Sequence, residues 1–142
     1  MIIRAFAVLS LLALAACGGG GGSDPAPTPT PTPLPTLTIA NVSSSEGDSG
    51  TSSLVFTVSL SATSADTVSV NYATQDGTAT AGEDYQSASG TLQFLPGDRA
   101  ADLSVTILGD EDVEANESFT VRLSSPVNAT LAQASANGTI SN

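Results

Sequence analysis

A short acidic run between two alternating segments carries the side chains best suited to chemistry in this chain. Residues 110–117 read Asp-Glu-Asp-Val-Glu-Ala-Asn-Glu, so five carboxylates fall within eight residues. Negative charges this close repel one another unless water, salt or a cation lies between them. Clustered carboxylate oxygens are the ligands that hard cations such as Ca2+ prefer. The run indicates either a cation site or a solvated acidic loop, and solvated charge runs are common.

The composition narrows the classes of function. The chain has 142 residues, with 14 Asp and Glu against 3 Lys and Arg, and a formal net charge of -11. This charge disfavours nucleic acid and anionic surfaces as partners. The absence of His excludes Ser–His and Cys–His nucleophile pairs and imidazole metal ligands. Because clustered acids alone do not make a catalytic site, and no Trp is present to stack a sugar, we expect that the protein is not an enzyme.

The N-terminus has the features of an export signal. Arg4 precedes an apolar run over residues 5–16, which is too short to span a membrane and suits the apolar segment of a signal peptide. The sequence Leu-Ala-Ala-Cys at residues 14–17 resembles the lipobox of bacterial lipoproteins. We therefore predict a lipoprotein signal peptide over residues 1–16 and lipidation of Cys17. The alternative is an ordinary signal peptide in which the cysteine stands by chance.

Residues 17–36 have the composition of a tether that follows the cysteine. Glycines at 18–22 favour flexible coil, and prolines alternating with Thr, Ala or Leu at 25–35 favour extended polyproline II. Such a segment builds no core and holds a domain away from a membrane. The resemblance to lipoproteins implies a protein of the bacterial cell envelope that is anchored to the membrane by lipid. Gly18, rather than Asp, follows the cysteine, which favours the outer membrane.

The rest of the chain, residues 37–142, alternates apolar and polar residues with the period of half-buried strands. The segments lie at 54–60, 68–72, 92–94, 103–107 and 119–123, with further strands expected at 37–42 and around 138–142. Turn-forming Gly, Pro and Asp separate them. About seven short strands in this length predict an all-β fold, an immunoglobulin-like antiparallel β-sandwich. The alternation places Phe56 and Phe119 inside the sandwich and Val55 on its outer face.

The order of the strands predicts where the acidic residues meet. If each connection reverses direction along the sandwich, the first, third and fifth loops share one end with the end of the last strand. These loops hold ten carboxylates, namely Glu46, Asp48, Asp76, Glu83, Asp84, Asp110, Glu111, Asp112, Glu114 and Glu117. Solubility alone would spread such charges over the surface. Their segregation favours a cation site, because Ca2+ takes about six to eight oxygens that several loops can supply.

Three ordered motifs resemble those of the Calx-beta domain family. They are Asp-Gly-Thr-Ala-Thr-Ala-Gly-Glu-Asp-Tyr at 76–85, Gly-Thr-Leu-Gln-Phe-Leu-Pro-Gly-Asp at 90–98, and the acidic run continued by Glu-Ser-Phe-Thr-Val-Arg-Leu at 117–123. The resemblance covers residues 37–142 and implies an immunoglobulin-like sandwich. The family is named for Ca2+-binding regulatory domains of sodium–calcium exchangers. It also occurs in integrin subunits and in bacterial surface and adhesion proteins.

The resemblance implies a Ca2+ site and its ligands. The family's ligand positions fall on Glu46, Asp84, Asp110, Glu114 and Glu117. Glu83 and Asp112 neighbour these residues and are additional candidates. Tyr85 is expected to pack rather than to bind. Family members usually continue from the last strand into Asp residues, whereas residues 138–142 read Gly-Thr-Ile-Ser-Asn, so fewer ligands are expected here.

Two functions are consistent with these features. The first is a Ca2+-binding or Ca2+-stabilised module on a lipid anchor, which faces the periplasm or the cell surface and takes part in adhesion or another interaction with a protein or cell-surface partner. The second is a structural spacer or interaction domain whose acidic end is solvated and holds no metal. Saturable Ca2+ binding separates the two, because only the first predicts it. Neither function involves nucleic acid.

Overall fold

The computed structural model describes residues 32–141, and strands are the regular structure found there. The nine strands are β1 (Thr36–Ile39), β2 (Val42–Ser45), β3 (Gly50–Leu60), β4 (Val68–Asp76), β5 (Ser89–Phe94), β6 (Ala100–Gly109), β7 (Glu117–Val127), β8 (Thr130–Leu131) and β9 (Ser135–Ser141). The predicted signal peptide, Cys17 and the tether up to residue 31 lie outside the described residues. Within residues 32–141, no helix is long and apolar enough to cross a membrane.

The strands form two sheets that pack against each other. One sheet has the order β6-β3-β1-β8 and the other the order β2-β9-β7-β4-β5. Most neighbouring strands run antiparallel, whereas β1 with β8 and β2 with β9 run parallel. The predicted all-β, immunoglobulin-like sandwich is confirmed.

The predicted number of seven strands is wrong, because nine form in the described part of the chain. The first predicted strand, 37–42, divides in two: the chain leaves one sheet after Ile39 and joins the other at Val42. Asn41 supports this crossing, since its Oδ1 accepts a hydrogen bond of 2.8 Å from the backbone N–H of Asn137. The second additional strand, β8, is two residues long and pairs with the start of β1.

Inward-facing residues of both sheets form the core. Phe56 of β3 and Phe119 of β7 are fully buried, as the alternation predicts, and their rings meet edge to face with centroids 6.0 Å apart. Tyr85, from the β4–β5 connection, stacks on Phe119 with centroids 4.2 Å apart. Val55, on the outer face of β3, is 46% exposed. Burial of these large side chains provides the main favourable contribution to folding.

The acidic end is the end of the sandwich that residues 46–49, 77–88 and 110–116 form. These residues are the connections β2–β3, β4–β5 and β6–β7. They meet because the start of β3 pairs with the end of β6, Gly50 with Gly109, and β4 ends where β7 begins. The end of β9 lies there too, since the Glu46 N–H donates to the Ser141 carbonyl oxygen at 3.0 Å. The loops therefore converge as the strand order predicts.

The entry end is the opposite end, formed by residues 32–35, 61–67, 95–99 and 128–129. The described chain enters the sandwich here, because Leu37 at the start of β1 pairs with Leu60, the last residue of β3. The beginning of the domain and its acidic loops therefore lie at opposite ends of the sandwich.

Candidate metal centre

Three carboxylates form a compact group at the acidic end. One carboxylate oxygen from each of Asp84, Glu114 and Glu117 lies within 4.8 Å of the other two. Asp84 is buried, Glu117 is half-buried and Glu114 is exposed, so the group opens to solvent on the side of Glu114. A hard cation with carboxylate oxygens as ligands suits such a group, because it offsets the mutual repulsion.

A tight turn in the β4–β5 connection fixes Asp84. The Thr80 N–H donates to Asp84 Oδ2 at 2.6 Å, and the Asp84 N–H donates back to the Thr80 carbonyl oxygen at 3.0 Å. Within the turn, Gly82 has a φ of +96°, which residues with a Cβ resist. The Leu108 N–H donates to the Asp84 carbonyl oxygen at 2.9 Å and so joins the turn to β6. The carboxylate is therefore presented by a well-defined backbone.

Tyr85 anchors the same turn from the core. Its side chain is 1% exposed, and its hydroxyl donates to Asp76 Oδ1 at 2.5 Å. The same oxygen accepts the Ala81 N–H at 3.1 Å, so Asp76 stabilises the turn. Burial and the hydrogen bond to Asp76 raise the pKa of Tyr85 to about 12. Tyr85 packs, as expected from the sequence, and the supporting role of Asp76 is new.

The start of β7 places Glu117 beside this turn. The Ala79 N–H donates to the Ser118 carbonyl oxygen at 3.0 Å, and the Ser118 N–H donates to the Thr78 hydroxyl at 2.8 Å. These two hydrogen bonds join the β4–β5 connection to the strand that Glu117 opens. The neighbouring carboxyls of the two segments are consequently held close together.

Glu46 approaches the group from the β2–β3 connection. Its side chain is 6% exposed, and its negative charge contributes to the raised pKa of Glu117. The connection packs tightly on the end of β6, since a Cβ at Gly109 would lie 2.5 Å from the Gly47 carbonyl oxygen. Only glycine allows two backbones to approach in this way.

A cleft lies next to the three-carboxylate group. Its volume is about 140 Å³, and it is lined by Gly47, Asp48, Asp110, Glu111, Asp112 and Val113. The Asp112 N–H donates to Asp110 Oδ1 at 2.8 Å, which shapes the beginning of the β6–β7 loop. The predicted ligand Asp110 and the additional candidate Asp112 therefore line this cleft.

Glu114 and Glu117 hold their protons more strongly than isolated side chains do, because the pKa of each is raised. Loss of hydration, a hydrogen bond with Asp84 and the charges of Asp84, Glu114 and Glu46 raise the pKa of Glu117. Loss of hydration and the charges of Asp84 and Asp110 raise the pKa of Glu114. A hydrogen bond between two carboxyls needs a proton on one of them, because ionised carboxylates only accept. A proton or a cation can relieve the same repulsion.

The structure divides the seven predicted ligands into those at the group and those beside it. Asp84, Glu114 and Glu117 meet directly, and Glu46 acts on Glu117. Asp110 and Asp112 line the cleft, while Glu83 is exposed and within electrostatic reach of Glu114. The ligand set did not include Asp48 and Glu111, which also line the cleft. The sequence signal for Asp48 was its place in a Glu-Gly-Asp turn, and the signal for Glu111 was its place in the acidic run.

The sequence profile of the Calx-beta domain matches residues 36–142. The chain belongs to the Calx-beta domain family. The domain is 48% identical over 54 residues to sodium/calcium exchanger 2 of Mus musculus, and 45% identical over 58 residues to sodium/calcium exchanger 1 of Canis lupus familiaris. These matches cover 38% and 41% of this chain and 6% of each exchanger, so the chain spans a small part of these relatives.

The Calx-beta domain is also similar to solved structures. The apo form of the Calx CBD1 domain aligns with a TM-score of 0.66 and 25% identity, over 78% of this chain and 100% of that one. A structure described as the calcium binding domain CBD12 of CALX1.1 aligns with a TM-score of 0.65 and 25% identity, over 74% of this chain and 43% of that one. Both alignments support the Calx-beta sandwich fold of the described residues.

Proposed function

We propose that this Calx-beta domain binds Ca2+ at its acidic end and acts as a Ca2+-binding or Ca2+-stabilised module on the bacterial cell envelope. The observation that carries the proposal is the group of Asp84, Glu114 and Glu117, whose oxygens lie within 4.8 Å of one another. Membership of a family in which one solved relative is described as a calcium binding domain supports it as well. The role is one of binding, with no catalytic step.

The ligands come from three connections of the acidic end. Ca2+ takes about six to eight oxygens as ligands. The three carboxylates of the group provide some of these oxygens, and the carboxylate of Glu46 adds to them. Water and the carboxylates of the adjacent cleft complete the set. Binding lowers the repulsion among the loops, because the charge of the cation offsets that of the carboxylates. Extracellular Ca2+ modules bind with dissociation constants of about 10⁻⁴–10⁻³ M, and the exposure of Glu114 favours this weak range.

The second part of the proposal concerns location. The sequence at residues 14–17 supports lipidation of Cys17 after export, with the tether holding the domain at the outer membrane. Two lipid chains give stable retention, where a single chain gives marginal binding. A role in adhesion or another cell-surface interaction follows from the resemblance to bacterial members of the family, and the partner would be a protein or a surface component.

Calorimetric titration of residues 32–142 with Ca2+, after treatment with chelator, tests the metal site. We expect saturable heat that Glu114→Gln lowers and Asp84→Asn with Glu117→Gln abolishes. Asp66→Asn removes one charge at the entry end and is the matched control, so its titration should equal that of the parent.

The contrary result would support a spacer without metal. In that case Ca2+ gives no saturable heat, and Ca2+ and Na+ raise the melting temperature equally at matched ionic strength, because both act only by screening. Specific binding instead adds about 2.7 kcal/mol when free Ca2+ is one hundred times the dissociation constant.

A further inference from the structure

Exposed apolar side chains gather where the chain enters the sandwich. Leu34, Leu95 and Val127 are 56%, 62% and 52% exposed. Within residues 32–141, the other large apolar side chains of this kind are Val55, on the outer face of β3, and Val113, in the acidic run. Single exposed apolar residues are ordinary, whereas several around one site mark a surface that contacts an apolar partner.

Hydrogen bonds hold two of these side chains beside the connection 61–67. The Gly97 N–H, in the turn that begins with Leu95, donates to a carbonyl oxygen of this connection at 3.1 Å. The side-chain amide of Asn128, the residue after Val127, donates to another carbonyl oxygen of the connection 61–67 at 2.9 Å. Both apolar residues are therefore kept next to the same surface loop.

Leu34 lies beside the same connection. It lines a cleft of about 250 Å³ between residues 32–35 and 63–66. The Thr130 N–H donates to the Pro35 carbonyl oxygen at 3.0 Å, which fixes the entering segment against β8. The three residues thus lie beside one loop, and we call Leu34, Leu95 and Val127 the apolar rim.

The entry end carries few charges that an apolar environment would have to accommodate. It carries Arg99 and, counting Asp102 just beyond it in β6, three carboxylates, which are Asp66, Asp98 and Asp102. Asp98 accepts the Leu95 N–H at 2.8 Å, and Asp102 accepts the Thr57 hydroxyl at 2.7 Å, so two of the three are hydrogen-bonded within the domain. Hydrogen-bonded polar groups cost less to dehydrate than free ones. The acidic end, by contrast, is dense in charge and unsuited to an apolar surface.

We propose that the apolar rim docks on the surface of the bilayer to which the chain is anchored. The inference rests on the lipid anchor of the proposed function. Residues 17–31 separate the predicted lipid from the described chain, and fifteen residues span at most about 54 Å. The anchor therefore holds the entry end within about 54 Å of the membrane, where a weak apolar contact becomes effective because it is intramolecular. In this orientation the acidic end faces away from the membrane.

The absence of Trp from the chain makes a single introduced Trp a probe of depth. The experiment uses the full lipidated chain in vesicles of zwitterionic phosphatidylcholine, with and without brominated acyl chains that quench Trp in the bilayer. Leu95→Trp and Val127→Trp report on the apolar rim. Val113→Trp, at a residue 99% exposed on the acidic end, and Val55→Trp, on the outer face, are the controls.

We expect blue-shifted, quenched emission from the two rim variants and unshifted, unquenched emission from the two controls. Leu34→Ser combined with Val127→Trp should reduce the quenching, which ties the contact to the rim rather than to the anchor alone. Thermal melts establish that each variant is folded.

Three results would overturn the inference. If all four variants float with the vesicles but none is quenched, the domain is anchored without docking, and the proposed function stands while this inference fails. If rim emission shifts to the blue with rising protein concentration but without quenching, a second copy of the chain covers the rim. A parent chain that does not float would remove the anchor itself and, with it, the membrane part of the proposed function.

Discussion

Replacing Tyr85 with Phe tests whether a buried hydroxyl holds the turn that presents Asp84. The substitution keeps the ring stacked on Phe119 and removes the donor to Asp76. A hydrogen bond to a charged group contributes about 1.5–3 kcal/mol, so we expect the free energy of unfolding at pH 7 to fall by about that amount in urea denaturation. Ca2+ affinity should fall as well, because the turn that carries Asp84 loses an internal contact.

The same hydroxyl makes the stability depend on alkaline pH. The pKa of Tyr85 is raised from 10.0 to about 12, which means that the fold favours the neutral phenol. This contribution is fully present below the unfolded pKa and is lost as pH rises through the folded pKa. Since one pKa unit corresponds to about 1.36 kcal/mol, the loss between about pH 10 and 12 amounts to at most about 2.7 kcal/mol.

Tyrosinate absorbance measures this ionisation directly, because the chain has two Tyr and no Trp. Tyr85→Phe should remove the late ionisation step and the loss of stability that accompanies it, whereas Tyr72→Phe, the matched control, should keep both. If the late step disappears in Tyr72→Phe and persists in Tyr85→Phe, the assignment of the buried hydroxyl is wrong.

The remaining predictions concern the acidic end, the core and the anchor. The folded-state pKa values of Glu114 and Glu117 are raised, so the domain in chelator should gain stability as pH falls from 7 through these values. Urea denaturation measures this gain, and a urea midpoint that decreases over the same pH range would contradict the prediction. Phe56→Ala should lower the free energy of unfolding by about 3–5 kcal/mol and Val55→Ala by less, a ranking that thermal melts check. Cys17→Ser should leave the chain unprocessed or free of the membrane fraction, so recovery as a processed membrane protein would exclude lipidation.

Strand phase could be predicted from the sequence because one face of each sheet is buried. Residues 54–60 alternate, so a shift by one residue would bury the polar set, and this fixes Phe56 inside and Val55 outside. The division of 37–42 could not be predicted in the same way. Alternation records which face a residue occupies but not which sheet the strand joins, and at Asn41 the pairing partner changes while the pattern continues.

Strand order predicts the end of the sandwich at which the acidic residues meet, and the family resemblance names Asp84, Glu114 and Glu117 among the ligands, but the alternating pattern alone does not single out these three. Connectivity brings the acidic loops together, yet the contacts within them depend on local backbone geometry. Gly82, with its positive φ, curls the turn so that Asp84 meets Glu117, and Gly109 lets the Glu46 loop close on β6. The acidic run has no periodic pattern, so only the family resemblance, and not the run itself, distinguishes Glu114, which joins the group, from Asp110 and Asp112, which line the cleft.

The chain passes from one sheet to the other between β1 and β2, and this crossing has a mechanical consequence. A pull on the N-terminal side acts at the entry end, along the axis of β1, whose antiparallel partner is β3. When the opposite end of the domain is held, such a load acts on the β1–β3 hydrogen bonds in shear rather than one at a time. If β1 yields, tension passes through Asn41 into β2, and from there directly to Glu46. A bound Ca2+ would then act as a clamp on the strand under load, and the force needed to extend the domain would report the occupancy of the acidic end.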